Sequence, residues 1–254
     1  MRFFLSFLLC FPLVAEIREV ARFDQINAHL NPTDFLVLDV DNTLMETVQM
    51  LGSDQWFSYR IQQYLAEGYS PQEASEIALA QWVAIQSLTE VKPVEPSAAS
   101  WVRQWQEEGY PVMALTLRGL GLAHRTDEQL LALYIDFRKG APWAETTLYN
   151  LQQTVLYRDG MLFTAGTNKG TALATFLSDT DLHPTRIVMV DDKRHHLEIV
   201  EHACQQLELP FLGLRYSHAD ATVQAFSPEI ADVQWEAFGH LISDEEAKTR
   251  LQDR

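Results

Sequence analysis

Apolar and polar positions fall into two patterns along the chain. Four short, continuously apolar runs stand out: FLVLDV (residues 35–40), PVMALT (111–116), RIVMV (186–190) and FLGLRY (211–216). They are too short for helices and too uniformly apolar for a sheet with one wet face, so they predict parallel strands covered by helices on both sides. Between residues 40 and 111 the spacing changes to that of helices, with Phe57, Ile61, Tyr64 and Leu65 on one face. Ser70-Pro71-Gln72-Glu73 reads as a capping box with proline at the first helical position, followed by Ala74, Ile77, Ala78, Trp82 and Ile85 at core spacing. Ser97 opens another helix, with Ala98, Trp101, Val102 and Trp105 inward and Gly109 as its stop. Asp159-Gly160 within TVLYRDGMLFTAG predicts a hairpin, and the segment from Ser227 predicts one or two helices packed on the sheet edge. No internal repeat or long linker interrupts the series, so the expected architecture is α/β with a central parallel sheet.

The first fifteen residues differ from the rest. Arg2 precedes an apolar run from Phe3 to Leu9 that continues to Val14, and Ala15 comes before the first acid, Glu16. The run is shorter than the ~20 residues needed to cross a bilayer, and Pro12 suits a cleavage region, so residues 1–15 read as a signal peptide. The mature domain would then be residues 16–254, exported to the periplasm or secreted, with no stable membrane anchor after cleavage. Composition fits a folded domain, with 47% hydrophobic and 21% charged residues among 254. A formal charge of -16 makes duplex nucleic acid and anionic membrane surfaces poor candidate partners. Cys10 and Cys204 supply neither a disulfide framework nor a zinc cluster.

Chemistry concentrates where the strands end. FLVL runs straight into Asp39, Val40, Asp41, Asn42 and Thr43, and RIVMV into Asp191 and Asp192. Carboxylates at the carboxyl ends of parallel strands point into the crevice where open α/β sheets bind ligands. Acids converging there repel one another unless a cation sits among them, and an all-oxygen donor set favours Mg²⁺. PVMALT adds the hydroxyl of Thr116 at the same rim. Lys169, in NKGTALATFL, falls in the first turn of a helix, where the dipole disfavours a cation, and that misplacement points to a functional role. A hydroxyl, an ammonium, a divalent cation and two carboxylates are what phosphoryl transfer requires. Arg118 offers a guanidinium fork to a phosphate or to a rim acid; Asn42, and Ser53, Asp54, Gln55 and Trp56 of LGSDQWF, where an insert could fold back over the site, are the other candidate substrate contacts. The remaining tryptophans, at helical spacing, read as core. His195 and His196 read as a surface helix start, since no arginine-glycine-histidine signature accompanies them.

DVDNT, a strand-end threonine, a lysine at a helix start and a strand-end DD, in that order, resemble the four motifs of the haloacid dehalogenase-like (HAD) superfamily of phosphohydrolases. More narrowly, LGSDQWF, YRDGMLFT with NKG, and VDDK resemble an exported bacterial branch of that superfamily. The resemblance covers about Phe23 to Tyr216 and implies a Rossmann-like core with a small helical C1-type cap insert at about residues 46–108. It further implies Asp39 as nucleophile, Asp41 as general acid and base, Thr116 as a phosphate contact and Lys169 as the balancing cation. Mg²⁺ would be held by Asp39, the Asp41 carbonyl and Asp192, with Asp191, which replaces the family's glycine, just behind. His196 stands where some members carry a further acid. An aspartate at position 41 implies hydrolysis of a small phosphorylated substrate, a phosphomonoester, because transport ATPases of the superfamily carry threonine there. A phosphotransferase or mutase with the same nucleophile, and a non-catalytic binding protein of the same fold, are the alternatives.

Overall fold

The computed structural model describes residues 15–238; apart from Ala15, the leader read in residues 1–15, with Cys10, lies outside the described residues. The strands are β1 (Ala15–Val20), β2 (Phe35–Leu38), β3 (Met45–Thr47), β4 (Val91–Pro93), β5 (Val112–Thr116), β6 (Thr147–Asn150), β7 (Thr154–Arg158), β8 (Met161–Phe163), β9 (Ile187–Asp191) and β10 (Phe211–Tyr216). The helices are α1 (Phe23–Asn27), α2 (Asp54–Ala66), α3 (Pro71–Gln86), α4 (Ala98–Glu107), α5 (Ala123–Ala132), α6 (Lys169–Asp179), α7 (Arg194–Gln206), α8 (Asp220–Gln224) and α9 (Pro228–Ala237).

A central sheet has the order β1-β10-β9-β2-β5-β8-β7-β6, parallel from β1 to β8 and antiparallel over β7 and β6. Its central strands β2, β5 and β9 are buried throughout because successive residues serve two different cores. Leu36, Leu38, Val112, Ala114, Val188 and Val190 pack with Phe23, Ile26, Val102, Trp105 and Leu130 of α1, α4 and α5. Their neighbours Phe35, Val37, Met113, Leu115, Ile187 and Met189 pack with Leu173, Phe176, Leu197 and Val200 of α6 and α7. This is a three-layer α/β fold with a mostly parallel sheet, as the continuous apolar runs predict. Cys204 lies in the second core, where burial pushes its thiol up to about 12 and leaves it unreactive.

Two elements differ from the pattern-based expectation. Strand β1 is absent from the apolar runs because it is an edge strand whose polar residues Glu16, Arg18 and Glu19 alternate with Ile17. The C-terminal helix α9 packs on α2 rather than on the sheet edge. The Tyr59 hydroxyl donates to Asp232 Oδ2 at 2.8 Å, the Leu51 amide donates to Gln234 Oε1 at 2.9 Å, and the Trp56 and Trp235 rings lie 5.6 Å apart. The reason is apolar surface: α2 and α3 stand off the sheet and need a cover of their own, which Ala231 supplies over Leu51, Trp56, Trp82 and Ile85.

The helical pair α2–α3 leaves the sheet just beyond β2 through the small antiparallel ribbon β3–β4, so it stands at the carboxyl end of the strands. The capping box forms as read, with the Glu73 amide donating to Ser70 Oγ and the Ser70 amide to Glu73 Oε2. Helix α4, also within residues 46–108, puts Val102 and Trp105 into the sheet's core. The Asp159-Gly160 hairpin forms between β7 and β8, both residues taking positive φ, as a tight two-residue turn demands.

Helices α6 and α7 cross at Gly170, where an added Cβ would meet the Ile199 carbonyl oxygen at 2.6 Å and the Ala203 Cβ at 2.9 Å. Backbone cannot yield there as a flexible side chain could, so Gly170→Ala is expected to cost about 1 to 3 kcal/mol despite alanine's better helix propensity. In thermal denaturation that is a fall in Tm of roughly 5 °C; an unchanged or raised Tm would show that the crossing relaxes freely.

Candidate active site

The site is built on three neighbouring strand ends and one helix start. Strand β2 stops at Leu38, so Asp39 to Met45 form a tight turn, in which the Leu44 and Met45 amides donate to the Val40 carbonyl at 2.9 and 3.1 Å. Asn42 takes φ 59°, a left-handed conformation that asparagine tolerates, and its amide donates to the Met45 carbonyl at 2.9 Å. The turn leaves Asp39 buried and Asp41 partly exposed at the rim. Next door, β9 carries Asp191 and Asp192, and the Asp192 amide donates to Thr43 Oγ1 at 3.2 Å, tying the two strand ends together. Asp39, Asp191 and Asp192 each offer a carboxylate oxygen within 4.8 Å of the others.

Lys169, only 2% exposed at the start of α6, enters this acidic centre. Its ammonium donates to Asp39 Oδ1 at 2.6 Å and to Asp191 Oδ2 at 2.7 Å. The cation is tolerated in the first turn because two carboxylates outweigh the helix dipole. Asp191 is further held by the Lys193 amide, which donates to its Oδ1 at 2.8 Å, and by His196 Nδ1 at 3.1 Å. Thr116 ends β5 fully buried, its Oγ1 accepting from the Arg118 amide at 3.2 Å.

Charge at the centre is unevenly balanced. Burial and the charge of Asp191 push Asp39 up to about 6 against the pull of Lys169. Asp191 is held below the usual carboxylate range: burial opposes this, but the Lys169 charge and the His196 hydrogen bond prevail. Asp192 is pushed up to about 8 by burial and by the charges of Asp39 and Asp191. Lys169 bridges only Asp39 and Asp191, and the second ammonium, Lys193, is paired with Asp54 and only partly offsets Asp192, which keeps the shift that a cation beside it would reverse. The all-oxygen donor set and this charge deficit fit a hard divalent metal, with Asp39 and Asp192 as the side chains free to hold it.

A family model described as "Protein of unknown function (DUF2608)" matches residues 19–248. The chain belongs to this family. A relative from Chlamydia muridarum, named "Putative outer membrane protein", is 30% identical over 100% of this chain and 99% of its own length. A protein of the same name from Chlamydia trachomatis is 27% identical over 96% of this chain and 95% of its own. Among solved structures, a haloacid dehalogenase-like family hydrolase from Streptococcus pneumoniae aligns with TM-score 0.45 and 11% identity, covering 76% of this chain and 97% of that one. A HAD-superfamily hydrolase from Geobacter sulfurreducens aligns with TM-score 0.40 and 12% identity, over 76% and 96% of the respective chains.

In this DUF2608 chain Asp39, Asp191, Asp192 and Lys169 come together as one cluster, with Asp41 and Thr116 on the adjoining turn and strand end. Arg118 pairs with the rim acid: its Nε and Nη2 donate to both oxygens of Asp41 at 2.8 and 2.7 Å. Trp56 is fully buried in the apolar core between α2, α3 and α9, without surface for a ligand. His196 is a correction to the surface reading of the histidine pair. His195 is exposed, but His196 is buried against Asp191, on the face of α7 that also carries Val200 and Cys204. That spacing of four residues was the available signal. Two further neighbours of the site, Lys193 in VDDK and Thr43 in DVDNT, were given no role of their own by the sequence reading. Lys193 Nζ donates to Asp54 Oδ2 at 2.6 Å, joining the end of β9 to the start of α2, and Thr43 braces Asp192.

Proposed function

We propose that this chain is a metal-dependent phosphohydrolase of the HAD type, acting on a small phosphomonoester outside the cytoplasm. The observation that carries this reading is the buried Lys169 ammonium bridging Asp39 and Asp191, beside an Asp192 whose carboxyl stays raised despite the nearby Lys193, which is itself paired with Asp54. A nucleophilic carboxylate needs an ordered cation at its back and a second one for the phosphoryl oxygens, and this cluster is arranged for both. Asp39 and Asp192, with the Asp41 carbonyl, would hold the metal, which in this chemistry is Mg²⁺ and neutralises charge on the transferred group.

The chain's own residues then do the following. An Asp39 oxygen attacks phosphorus, the ester P–O bond breaks, and its electron pair leaves on the alcohol oxygen, which takes a proton from Asp41. Water attacks the aspartyl-phosphate, giving its proton to Asp41, and the Asp39–P bond breaks to release inorganic phosphate and the free carboxylate. Lys169 offsets charge on Asp39 throughout, and Thr116 and Asn42 would hold the phosphoryl group. The α2–α3 pair serves as the cap that limits access from the carboxyl side. Export is supported by the apolar leader ending at Ala15 and by the outer-membrane names of the chlamydial relatives. Among the described residues no helix is long and apolar enough to cross a membrane.

The test is inorganic phosphate release by residues 16–254 from aryl and alkyl phosphomonoesters, with magnesium and with chelator. Release that requires magnesium is expected. Release indifferent to chelator, or none from any ester, overturns the reading.

A further inference from the structure

Arg118 was a candidate phosphate contact, and its surroundings assign it different work. A guanidinium has five N–H donors, and each one of Arg118 has an acceptor within the protein. Nε and Nη2 reach Asp41, Nη1 reaches Thr126 Oγ1 at 3.1 Å and Gln129 Oε1 at 2.7 Å, and Nη2 also reaches Gln86 Oε1 at 3.3 Å. The Trp82 ring covers it at 5.2 Å, and the residue is 3% exposed. No donor is left for a substrate oxygen. Gln86, fully buried at the end of α3, is itself fixed by donating to the Gly52 carbonyl at 2.6 Å and by accepting from Gln129 Nε2 at 3.2 Å.

We propose that Arg118 is a positioning residue that fixes the carboxylate of Asp41, and that Gln86 completes its seat, so the placement of Asp41 depends on how α3 docks against the sheet. The bidentate pair leaves the carboxylate one orientation at the rim, and the seat joins three elements: the loop after β5, helix α5 and helix α3. The inference rests on the phosphohydrolase reading, in which Asp41 gives its proton to the leaving oxygen. A nitrophenolate departs without that proton, whereas an alkoxide does not.

The experiment compares kcat and KM for p-nitrophenyl phosphate and for a simple alkyl phosphate in wild type, Arg118→Lys, Arg118→Met and Gln86→Met, with folding checked by circular dichroism. Lysine keeps the charge but loses the fork, so both Arg118 variants are expected to lose about 100-fold in kcat on the alkyl ester and less than about tenfold on the aryl ester, with KM within about threefold. Gln86→Met, the milder change, is expected to show the same selective loss at about tenfold, and it carries the test should the Arg118 variants not fold. A raised KM that lysine restores would make Arg118 a substrate contact, and equal losses on both esters would make it merely structural; either overturns the proposal. Wild type inactive on both esters overturns the phosphohydrolase reading itself, and this inference with it.

Discussion

Asp39→Asn is expected to lower phosphate release by at least about 10⁴-fold while leaving the fold intact, because an amide of the same shape cannot attack phosphorus. The electrostatics make this substitution unusually clean. Asp39 is pushed up to about 6 by burial and by Asp191, so its charge costs the folded state free energy. A carboxylate raised in this way loses stability as pH climbs from its ordinary value near 4 through its folded value. Removing its charge therefore relieves repulsion with Asp191 and Asp192, and the neutral amide can still accept from Lys169. At about pH 7.5 the variant should melt no lower than wild type in the absence of metal, with the loss confined to turnover. Measurement of kcat beside Tm separates the two quantities. More than about 1% residual turnover would remove Asp39 as nucleophile, and a collapse of Tm would show that the carboxylate is structural.

The sheet was legible because its signal is local. Leu36 and Val37 face different cores, so both had to be apolar, and the same holds along β5, β9 and β10. The acids were legible because the same strands stop abruptly at Asp39 and Asp191, and Lys169 because it sits against a helix dipole. What stayed open or escaped were pairings that no local pattern encodes: Arg118 could be read toward a phosphate or a rim acid, and Lys193 was given no role at all. Arg118 meets Asp41 across 77 positions, and Lys193 meets Asp54 across 139. Arg118 could be recognised as functional in type and Lys193 could not, and the partner of each depends on how α2 and α3 settle over the strand ends. Strand β1 was hidden for a different reason: as an edge strand it is half solvated, and its polar residues mask the period. Helix α9 had an apolar face that was readable, but the surface it covers is built from Trp56 and Trp82 on two other helices.

Lys169→Met should be the most destabilising single change at the site, and its effect should depend on pH. The substitution keeps most of the side-chain volume and removes the ammonium that lies 2.6 Å from Asp39 and 2.7 Å from Asp191. Breaking a buried ion pair from one side costs about 3 to 5 kcal/mol, because the stranded charge stays out of water. For a chain of this size that is a loss of roughly 10 °C in Tm at about pH 8. Lys169 is held above its ordinary value, so its contribution is complete at neutral pH and fades only as pH rises through that higher value. Asp191 is held below its ordinary value, so its contribution is present above about pH 4 and fades as pH falls through the lower one. Both are in force at pH 8 in wild type. Without the ammonium nothing but His196 and the Lys193 amide holds Asp191 down, and it joins Asp39 in taking up a proton on acidification. The stability gap between variant and wild type should therefore shrink to less than about half by pH 5. A gap of the same size at both pH values would mean that Lys169 stabilises the fold by packing its stem rather than by its charge, and the electrostatic account of the acidic centre would fall.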